Sequence, residues 1–367
     1  MQVNPKVSPV ILEILCAAAI GYQLFAILAC LVFRNQGPGA IGPRSWVSVL
    51  KPVHGVEPAM REAIASHTVL EGNYDFLCGV RDGDPALDVI ARFPKARAVS
   101  VRTETPNGKV GALIDLVREA RHSLLVVNDA DIRVETDYLL RVTAPLMHPE
   151  VGLVTCLYRV EGSTFPARFE GLGIATDFAP STLVARLVGV NNFAMGSTMA
   201  FRRLDLDRIG GFEAIADYLA DDYQLGRRIH ALGLKCVLSD VVVTTHLGGN
   251  WRDVWLHQLR WARTIRVSNF WGYLGLPVTF ATVWAVLAWF FGLEWWAWAT
   301  LAVRMLMATT AGWGVLRSND AINLWLLIPV RDLFGFAVWI AGLFGDSVVW
   351  RGKRLRLDRE GRIREAR

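Results

Sequence analysis

Residues 124–134 (LLVVNDADIRV) constrain the fold of this 367-residue chain more than any other stretch. Its first four residues are all apolar, which is typical of a strand buried on both faces of a parallel sheet. The strand then ends abruptly in polar residues that include Asp129 and Asp131. Open α/β sheets bind their ligands at the carboxyl ends of their strands. The stretch therefore predicts a ligand site at the end of a central strand.

The two acidic residues of this stretch are candidate metal ligands. Carboxylates two positions apart repel each other unless a cation lies between them. Hard divalent ions such as Mg²⁺ bind one or two carboxylates together with the phosphates of a substrate. Asp129 and Asp131 are therefore candidates for holding a metal ion against a diphosphate. The alternative is a polar turn, because Asp is common in turns for local reasons.

The composition favours a membrane protein. The chain is 53% hydrophobic, contains 14 Trp, and has a mean hydropathy of +0.31. Its net charge is +5, and the last 17 residues carry eight Arg or Lys against three acids. A basic tail beside apolar segments is typical of contact with anionic lipid headgroups, so no nucleic-acid partner is expected. The five cysteines form no CxxC pattern, which favours reduced thiols over disulfides or a zinc site.

The uneven distribution of apolar residues divides the chain into six parts. Residues 10–33 contain Glu13 as their only charge and are long enough to span a bilayer, so they predict an uncleaved anchor. Positive charges lie mainly after this anchor, which puts the following domain in the cytoplasm. The predicted parts are an N-terminal tail (1–9), a transmembrane anchor (10–33), a cytosolic domain (44–250), an amphipathic interfacial helix (251–273), C-terminal transmembrane segments (276–345) and a basic tail (351–367).

The cytosolic domain alternates strand-like and helix-like segments. This alternation indicates βαβ units and a parallel sheet covered on both faces. No GxGxxG motif follows a strand, so a dinucleotide-dependent dehydrogenase has little support. The predicted strands are 46–52, 74–81, 98–102, 124–127, 151–158, 194–202 and 236–246, and the predicted helices are 59–70, 88–92, 109–121 and 217–232.

Two further segments have faces suited to either protein or lipid. In 251–273, Trp251, Trp255 and Leu259 form one stripe and the arginines lie elsewhere. Tryptophan and arginine together suit the membrane–water interface, with a surface helix that packs its tryptophans into the core as the alternative. Segment 165–193 is apolar at roughly helical spacing and is either a core helix or an interfacial one.

Three apolar segments near the C-terminus, 276–293, 295–316 and 322–344, are each long enough to span a bilayer. Arg304 and the pair Arg331-Asp332 lie within them, and charges at membrane depth are expected to face a partner or a cavity. Four spans that start outside would leave the basic tail outside, against the positive-inside bias. Either one segment is re-entrant or the bias fails at this end.

Acidic and cationic residues at the ends of predicted elements suit one reaction. Asp82 can accept a hydrogen bond from the imide of a base, and Asp222 can take the proton from an acceptor hydroxyl. Arg260 can neutralise a departing diphosphate while Trp261 closes the site. Each is also explicable alone, since Asp221 and Asp222 would favour a helix N-terminus in any protein.

Six stretches between residues 46 and 266 together carry a resemblance to a known family. The chain resembles family 2-type glycosyltransferases, more narrowly the ceramide glucosyltransferase group, and looks closest to its bacterial hopanoid-biosynthesis-associated branch on 177–186 and 211–222. Residues 330–332 and 350–351 are similar to the membrane end of that group. The six stretches are 49–55 (VLKPVHG), 80–86 (VRDGDPA), 107–110 (NGKV), 128–134 (NDADIRV), 219–223 (LADDY) and 257–261 (HQLRW).

The resemblance implies an α/β protein with the GT-A fold, a Rossmann-like nucleotide-sugar domain with N-terminal and C-terminal transmembrane helices. It also implies a UDP-sugar donor, a divalent ion (Mg²⁺ or Mn²⁺) and inversion at the anomeric carbon. The positions that match the family's nucleotide-sugar-binding residues are Lys51, Pro52, Asp82 (the uridine-binding acid), Lys109, Asp129 and Asp221, and those that match its metal motif are Asp129 and Asp131.

The family's catalytic positions match Asp222 as the base, and Arg260 and Trp261 as the last two residues of its Q/R-x-x-R-W motif. His257 departs from that motif, because Gln or Arg stands there in the family. A histidine can still donate to a phosphate or an acceptor, so His257 is counted with the catalytic set. The alternative is a packed ring without a role in the reaction.

These observations predict an inverting, metal-dependent glycosyltransferase of the bacterial inner membrane whose catalytic domain faces the cytoplasm. It would move one hexose, glucose or N-acetylglucosamine, from a UDP-sugar to a hydroxyl of a membrane lipid, a hopanoid or a ceramide. A processive polysaccharide synthase is one alternative, although four spans are few for a channel that passes a chain. A non-catalytic membrane scaffold with the same fold is the other, and the crowded carboxylates argue against it.

Overall fold

The computed structural model describes residues 7–365 except 38, 40, 43 and 58. Most of the predicted N-terminal tail and the last two residues of the predicted basic tail lie outside this part. The strands of the described residues are β1 (Trp46–Pro52), β2 (Asn73–Val80), β3 (Ala96–Ser100), β4 (Leu124–Val127), β5 (Val151–Gly162), β6 (Met199–Arg202), β7 (Lys235–Leu247), β8 (Ser347–Trp350), β9 (Lys353–Leu357) and β10 (Ile363–Glu365).

The helices lie between these strands and in two apolar regions. Short 3₁₀ or π-helical turns extend several of them, and the one at Ile174–Phe178 joins α6 and α7 into one bent helix. The α-helices are α1 (Val7–Asn35), α2 (Met60–Thr68), α3 (Ala86–Ile90), α4 (Gly108–Glu119), α5 (Tyr138–Thr143), α6 (Phe165–Gly173), α7 (Ala179–Leu187), α8 (Arg203–Arg208), α9 (Asp221–Ala231), α10 (Trp251–Ser268), α11 (Phe270–Gly275), α12 (Ala281–Phe290), α13 (Glu294–Thr309), α14 (Asp320–Asn323) and α15 (Ile328–Gly342).

The main sheet has seven strands in the order β3-β2-β1-β4-β6-β5-β7. Six of them run parallel, whereas β6 is antiparallel to both of its neighbours, β4 and β5. The prediction of a parallel sheet was therefore wrong for β6. The reason is that hydrophobic periodicity carries no information on strand direction. The bounds of β1 and β4 agree with the predicted ones.

Two buried apolar layers hold helices against this sheet. On one face, α2, α3 and α5 pack through residues such as Ile64, Ile90 and Tyr138. On the other face, α4, α8 and α9 pack through residues such as Leu113 and Leu225. Helices on both faces of a largely parallel sheet leave only its edges and strand ends open, so ligands are expected at the strand ends.

Two helices are long and apolar enough to cross a membrane within the described residues, Pro9–Asn35 and Trp325–Gly342. Helices Phe270–Thr279 and Ala281–Phe290 make a third only if this pair, bent by 53°, is one span. The predicted span at 295–316 is not among them. Its helix, α13, is rich in tryptophan and contains Arg304, which lowers its hydropathy.

Arg304 has the partner that its depth in an apolar bundle requires. Its side chain is 0% exposed, and its Nη2 lies 2.6 Å from Asp332 Oδ1 on α15. The guanidinium also bonds Asp177 in the turn between α6 and α7. Because a buried cation without a partner is very costly, this ion triad fixes α13, α15 and the α6–α7 helix against one another. The expectation of a partner for Arg304 is confirmed.

The segment predicted as 165–193 forms the α6–α7 helix, and its middle is buried. Ala167, Leu172, Ala175 and Leu183 are all inaccessible or nearly so. The Tyr22 and Ser181 hydroxyls, 2.9 Å apart, connect α7 to α1. The structure therefore favours the core helix over the interfacial one.

The predicted interfacial helix 251–273 is two helices in the structure. It breaks at Asn269, whose side chain accepts a hydrogen bond from Gly272 N at 3.0 Å and so begins α11. The tryptophan stripe of α10 packs on protein: Trp251 contacts Phe169 and Trp255 contacts Phe334 of α15. Trp255 therefore corresponds to the alternative of a helix that packs its tryptophans into the core, whereas Trp251 is 48% exposed and still meets the expectation of an interfacial helix.

The basic C-terminal segment is folded into a small antiparallel sheet, β10-β9-β8. Ile363 N donates to Asp217 O at 2.7 Å, and Leu219 N donates to Gly361 O at 3.4 Å. Leu219 also packs with Leu357 and Ile363 in a buried cluster. The small sheet therefore packs on the domain that contains the seven-stranded sheet and holds the backbone just before Asp221.

Candidate active site

The turn after β4 is fixed by a buried polar network. Asn128 is 0% exposed, and its amide donates to the Tyr138 hydroxyl at 2.9 Å and to Ser197 O at 2.7 Å. Because a buried amide without partners would be costly, this network sets where the chain leaves the sheet. Asp129 comes next, and its side chain is 40% exposed at the carboxyl end of the strand.

Lys51 supports this turn from beneath. Its ammonium is fully buried and donates to Asp129 O at 2.8 Å and to Ile132 O at 3.2 Å. Burial lowers the pKa of Lys51 to about 8. Backbone carbonyls bind the Lys51 ammonium, and the donor-binding role of Lys51 stays a prediction. Pro52 follows at the buried end of β1.

Lys109 owes its position to the cap of α4. The Asn107 side chain accepts a hydrogen bond from Lys109 N at 3.0 Å, which starts the helix there. Asn107 also donates through its Nδ2 to Tyr218 O at 2.8 Å, so the start of α4 is tied to the loop before α9. The cap therefore brings the Lys109 side chain to the acids of that helix.

An ion cluster connects three of the predicted site residues. Lys109 Nζ lies 2.7 Å from Asp129 Oδ1 and 2.9 Å from Asp221 Oδ2. Burial alone would lower the pKa of Lys109, but these carboxylates outweigh it and raise the pKa. The lysine is therefore a permanent cation at this edge of the sheet. Gly196 lies against the cluster, since a Cβ there would come 2.6 Å from Asp129 Oδ2.

Asp222 lies beside the cluster at the start of α9. Its Oδ2 accepts from Gly196 N at 2.9 Å, and its Oδ1 accepts from Tyr223 N at 2.7 Å. The pKa of Asp222 is raised to about 6, chiefly by burial and also by the neighbouring Asp221, while Lys109 opposes the rise. A carboxylate with a pKa in this range can accept a proton near neutral pH.

The predicted metal ligands fit a divalent ion that has further ligands. Asp131 bonds the Thr245 hydroxyl, and burial together with Asp129 raises its pKa. The described residues contain no group of three or more His, Cys, Asp or Glu side chains able to hold a metal ion. Two carboxylates are sufficient only when the phosphates of a substrate complete the coordination, as Mg²⁺ sites commonly require.

Asp82 lies at the end of β2 and is separate from the ion cluster. It is exposed and accepts a hydrogen bond from the Ser100 hydroxyl at 2.6 Å, at the end of β3. This position is at the same carboxyl edge of the sheet, two strands away from β4 with β1 between them. Asp82 is thus free to meet a ligand that extends along that edge.

Helix α10 supplies the cationic and aromatic residues of the site. His257, Arg260 and Trp261 lie on one face, since residues three and four apart are neighbours on a helix. The rings of His257 and Trp261 are 4.6 Å apart, and Trp261 also contacts Phe178. His257 Nδ1 lies 2.7 Å from Glu170 Oε1 on α6.

Arg260 is largely buried among acids. Burial lowers its pKa, whereas Asp129, Glu170 and Asp222 act in the opposite direction. The guanidinium therefore lies within electrostatic reach of Asp129 and Asp222 and of Glu170 on α6. A planar cation in this position can pair with a phosphate group.

Four residues of the site escaped the sequence analysis: Glu170, Gly196, Tyr158 and Arg351. The charges around Tyr158 include those of Asp222 and Glu170, and Arg351 lies within electrostatic reach of Asp129 and Asp221. Arg351 adopts a left-handed φ of 49° at the turn between β8 and β9. Of these four residues, only Arg351 had a signal in the sequence, namely the similarity of Trp350-Arg351 to the membrane end of the family.

Comparison with known proteins assigns the family. The sequence profile of glycosyl transferase family 21 matches residues 11–363. The chain belongs to this family. It is 23% identical over 350 residues to ceramide glucosyltransferase 1 of Caenorhabditis elegans, which covers 88% of this chain and 73% of the relative. It is 29% identical over 205 residues to ceramide glucosyltransferase 3 of the same organism, which covers 53% of this chain and 44% of the relative.

A solved structure supports the fold. The transferase matches a mannosyltransferase from Pyrobaculum calidifontis, solved in complex with GDP-mannose and Mn²⁺, with a TM-score of 0.56. The match covers 91% of this chain and 99% of that protein at 18% identity. The predicted GT-A fold and the resemblance to the ceramide glucosyltransferase group are confirmed, and the protein is a glycosyltransferase.

Proposed function

We propose that this glycosyltransferase moves one hexose from a UDP-sugar to a hydroxyl of a membrane lipid, with inversion and with a bound divalent ion. The observation that carries the proposal is the arrangement around Asp222. A half-buried carboxylate with a raised pKa lies beside the Lys109–Asp129–Asp221 cluster at the carboxyl end of β4. A base beside a cationic and acidic platform is what transfer from a nucleoside diphosphate sugar requires.

The donor would lie along the carboxyl edge of the sheet. Its base would reach Asp82, and its diphosphate would lie at Asp129 with Asp131 beneath it. Mg²⁺ or Mn²⁺ held by these two carboxylates would neutralise the diphosphate when bound. Lys109 and Arg260 add positive charge on either side, which favours departure of the UDP group.

The acceptor would approach from the helical wall. His257 and Trp261 face the site from α10, and Trp261 contacts Phe178 in the helix that packs on α1. This wall is continuous with the apolar helices, which favours a lipid over a soluble acceptor. In inverting transfer Asp222 removes the proton from the attacking hydroxyl, and a single base is sufficient for that step.

A hopanoid or a ceramide is the acceptor that the family resemblance favours, with glucose or N-acetylglucosamine as the sugar. The curated relatives carry the name ceramide glucosyltransferase. We place the protein in the bacterial inner membrane with the catalytic domain (44–250) on the cytoplasmic side, where UDP-sugars are made. The anchor (10–33) and the segments at 276–345 would hold it there.

The experiment uses purified full-length protein in detergent with Mg²⁺ or Mn²⁺. A panel of UDP-sugars is offered with ceramide, a polyhydroxylated hopanoid and diacylglycerol, and the products are read by mass spectrometry. The proposal predicts one added hexose on one lipid class. Polymer formation would instead support a processive synthase, and no turnover together with no UDP-sugar binding would support the scaffold.

A further inference from the structure

A chain of four polar side chains connects helix α15 to the active-site face of α10. Arg331 Nη2 lies 2.9 Å from Gln258 Oε1, and Gln258 Nε2 lies 2.7 Å from Glu170 Oε1. The same Glu170 oxygen lies 2.7 Å from His257 Nδ1. Glu170 is only 3% exposed and Arg331 only 4%. Such a buried network is expected to have a defined hydrogen-bond direction.

The chemistry of the end groups fixes that direction. A guanidinium can only donate, so the atom of Gln258 that faces Arg331 must be the amide oxygen. The amide nitrogen of Gln258 therefore faces Glu170 and donates to it. Glu170 Oε1 accepts this bond and can accept a second one on its other lone pair. His257 Nδ1 lies only 2.7 Å from this acceptor oxygen, and two lone pairs would repel at that distance, so Nδ1 is expected to carry the proton.

This direction defines the state of the His257 ring. When Nδ1 carries the proton that Glu170 accepts, a neutral imidazole has a lone pair on Nε2, the opposite nitrogen. Nε2 has no hydrogen-bond partner among the residues that the structure describes, and the side chain is 25% exposed. The ring lies against Trp261 on the face that also carries Arg260. Its free nitrogen is therefore available to a bound molecule.

We propose that Glu170 is a positioning residue that holds His257 for the lipid acceptor. This inference rests on the proposed function, since it assigns the acceptor side of the same site. The proposed donor side is formed by Asp129 after β4, Lys109 at the start of α4 and Asp221 at the start of α9. The His257 ring packs against Trp261, which contacts Phe178 of the apolar helical wall, so we assign the group that meets Nε2 to the acceptor.

The arrangement also accounts for a departure in the sequence. The Q/R-x-x-R-W pattern has Gln or Arg where this chain has His257. A histidine has two possible positions for its proton and needs a partner that selects one of them. Glu170 supplies that partner from another helix, and Gln258 with Arg331 keeps its carboxylate in place.

A double-mutant cycle tests the proposal with Glu170→Gln, His257→Phe and the double variant. Glu170→Gln keeps the shape of the side chain but removes its charge. The value of kcat/KM for the acceptor should therefore fall about fivefold, which corresponds to the difference in strength between a charged and a neutral hydrogen bond. The dissociation constant of the UDP-sugar with Mn²⁺ should not change. In the His257→Phe background, Glu170→Gln should have no further effect on kcat/KM.

Asp75→Asn is the matched control, because Asp75 pairs with His122 at 3.8 Å away from the site. It should leave both kinetic constants unchanged. Equal losses from Glu170→Gln in the two backgrounds would overturn the proposal, since Glu170 would then act independently of His257. Weakened donor binding in Glu170→Gln would overturn it as well.

A second measurement does not depend on activity. The chain contains seven histidines, so ¹⁵N-histidine labelling gives a small set of ring signals, and the His257→Phe variant identifies the His257 pair. The proposal predicts a protonated Nδ1 in the wild type and a change of the His257 signals in Glu170→Gln. Asp75→Asn should alter His122 alone. An unprotonated Nδ1, or unchanged His257 signals, would overturn it. If the His257 signals are as predicted but the protein glycosylates no lipid, the proposed function is refuted. The positioning of His257 by Glu170 is not refuted by that result.

Discussion

At the scale of the residue, Asp222 links the electrostatics of the site to the pH dependence of transfer. Burial raises its pKa to about 6, and only the ionised form can accept a proton. The rate should therefore fall as the pH drops through about 6 and level off above it. The measurement is kcat/KM for the acceptor between pH 5 and 8. This range extends at least about one pH unit to either side of the expected midpoint, which is sufficient to define the titration.

The raised pKa of Asp222 changes folding stability with pH in the opposite direction to the transfer rate. This difference provides a control. A carboxyl group with a higher pKa in the folded state stabilises the fold only while it is protonated. This contribution is present below the unfolded pKa of about 4 and is lost as the pH rises through about 6. The melting temperature of Asp222→Asn relative to that of the wild type should therefore increase between pH 5 and pH 7, on top of a constant offset from the loss of one of the two backbone hydrogen bonds that Asp222 accepts. A difference that does not change with pH would contradict the raised pKa.

Asp129 is the residue on which the proposed metal platform depends. Asp129→Ala should weaken Mn²⁺-dependent UDP-sugar binding at least about tenfold, since the loss of even a supporting group at a metal site has such an effect. Calorimetric titration of the UDP-sugar with and without Mn²⁺ measures this. Asp137→Ala, which alters a surface pair with Arg141, is the control. Unchanged metal dependence in Asp129→Ala would count against the platform.

The sequence predicted the acids of the site better than the residues around them. Asp129, Asp221 and Lys109 were predicted from motifs and meet in one cluster. Lys51 lies in a similar motif, yet its ammonium is bound to backbone carbonyls, which no local pattern reveals. Glu170 is an ordinary acid in an apolar stretch. Its role depends on contacts with residues 87 and 88 positions away, so the sequence alone gave it no signal.

At the scale of the element, the C-terminal sheet determines how firmly Asp222 is held. Leu357 is 3% exposed and packs on Leu219, three residues before Asp222. Leu357→Ala should lower the free energy of unfolding by about 2 kcal/mol, the lower end of the range for a buried leucine. It should also reduce the transfer rate at temperatures below unfolding.

Val349→Ala is the control for this variant, since Val349 is 39% exposed on the same sheet. Thermal unfolding and the lipid-transfer assay on the two variants measure the difference. A loss of stability in Leu357→Ala with wild-type transfer would show that the sheet does not support the loop before α9.

Most helices and strands were predictable because their periodicity is local. The direction of β6 was not, since it depends on the long path from β5 through the α6–α7 helix. The break at Asn269 was also missed, because apolar residues continue on both sides of it. Tryptophan stripes such as Trp255 are equally compatible with lipid and with a neighbouring helix, and only the position of α15 decides between them.

At the scale of the whole molecule, the contacts of the C-terminal sheet bear on the membrane topology. Ile363 bonds Asp217 of the catalytic domain, so residues 347–365 lie on the same side of the membrane as that domain. The helices at 276–345 must then cross an even number of times or not at all. With an even number of crossings or none, the basic C-terminal segment stays on the side of the catalytic domain. The conflict between four full spans and the positive-inside bias is then removed.

Reporter fusions test this topology. A fluorescent protein fused after residue 367 should fluoresce in the cytoplasm, and alkaline phosphatase at the same position should be inactive. The same two reporters fused after residue 36, directly behind the anchor, are the matched pair and should give the same result. An active phosphatase at the C-terminus alone would show an odd number of crossings.

Asp222 is the proposed base in transfer from a metal-bound UDP-sugar to a lipid. Single-turnover transfer by Asp222→Asn protein, saturated with donor, Mn²⁺ and the lipid identified from the panel, tests this role. We expect donor affinity equal to that of the wild type and a transfer rate at least about 100-fold lower, the usual loss on removing a general base. Transfer at a near-normal rate would contradict it.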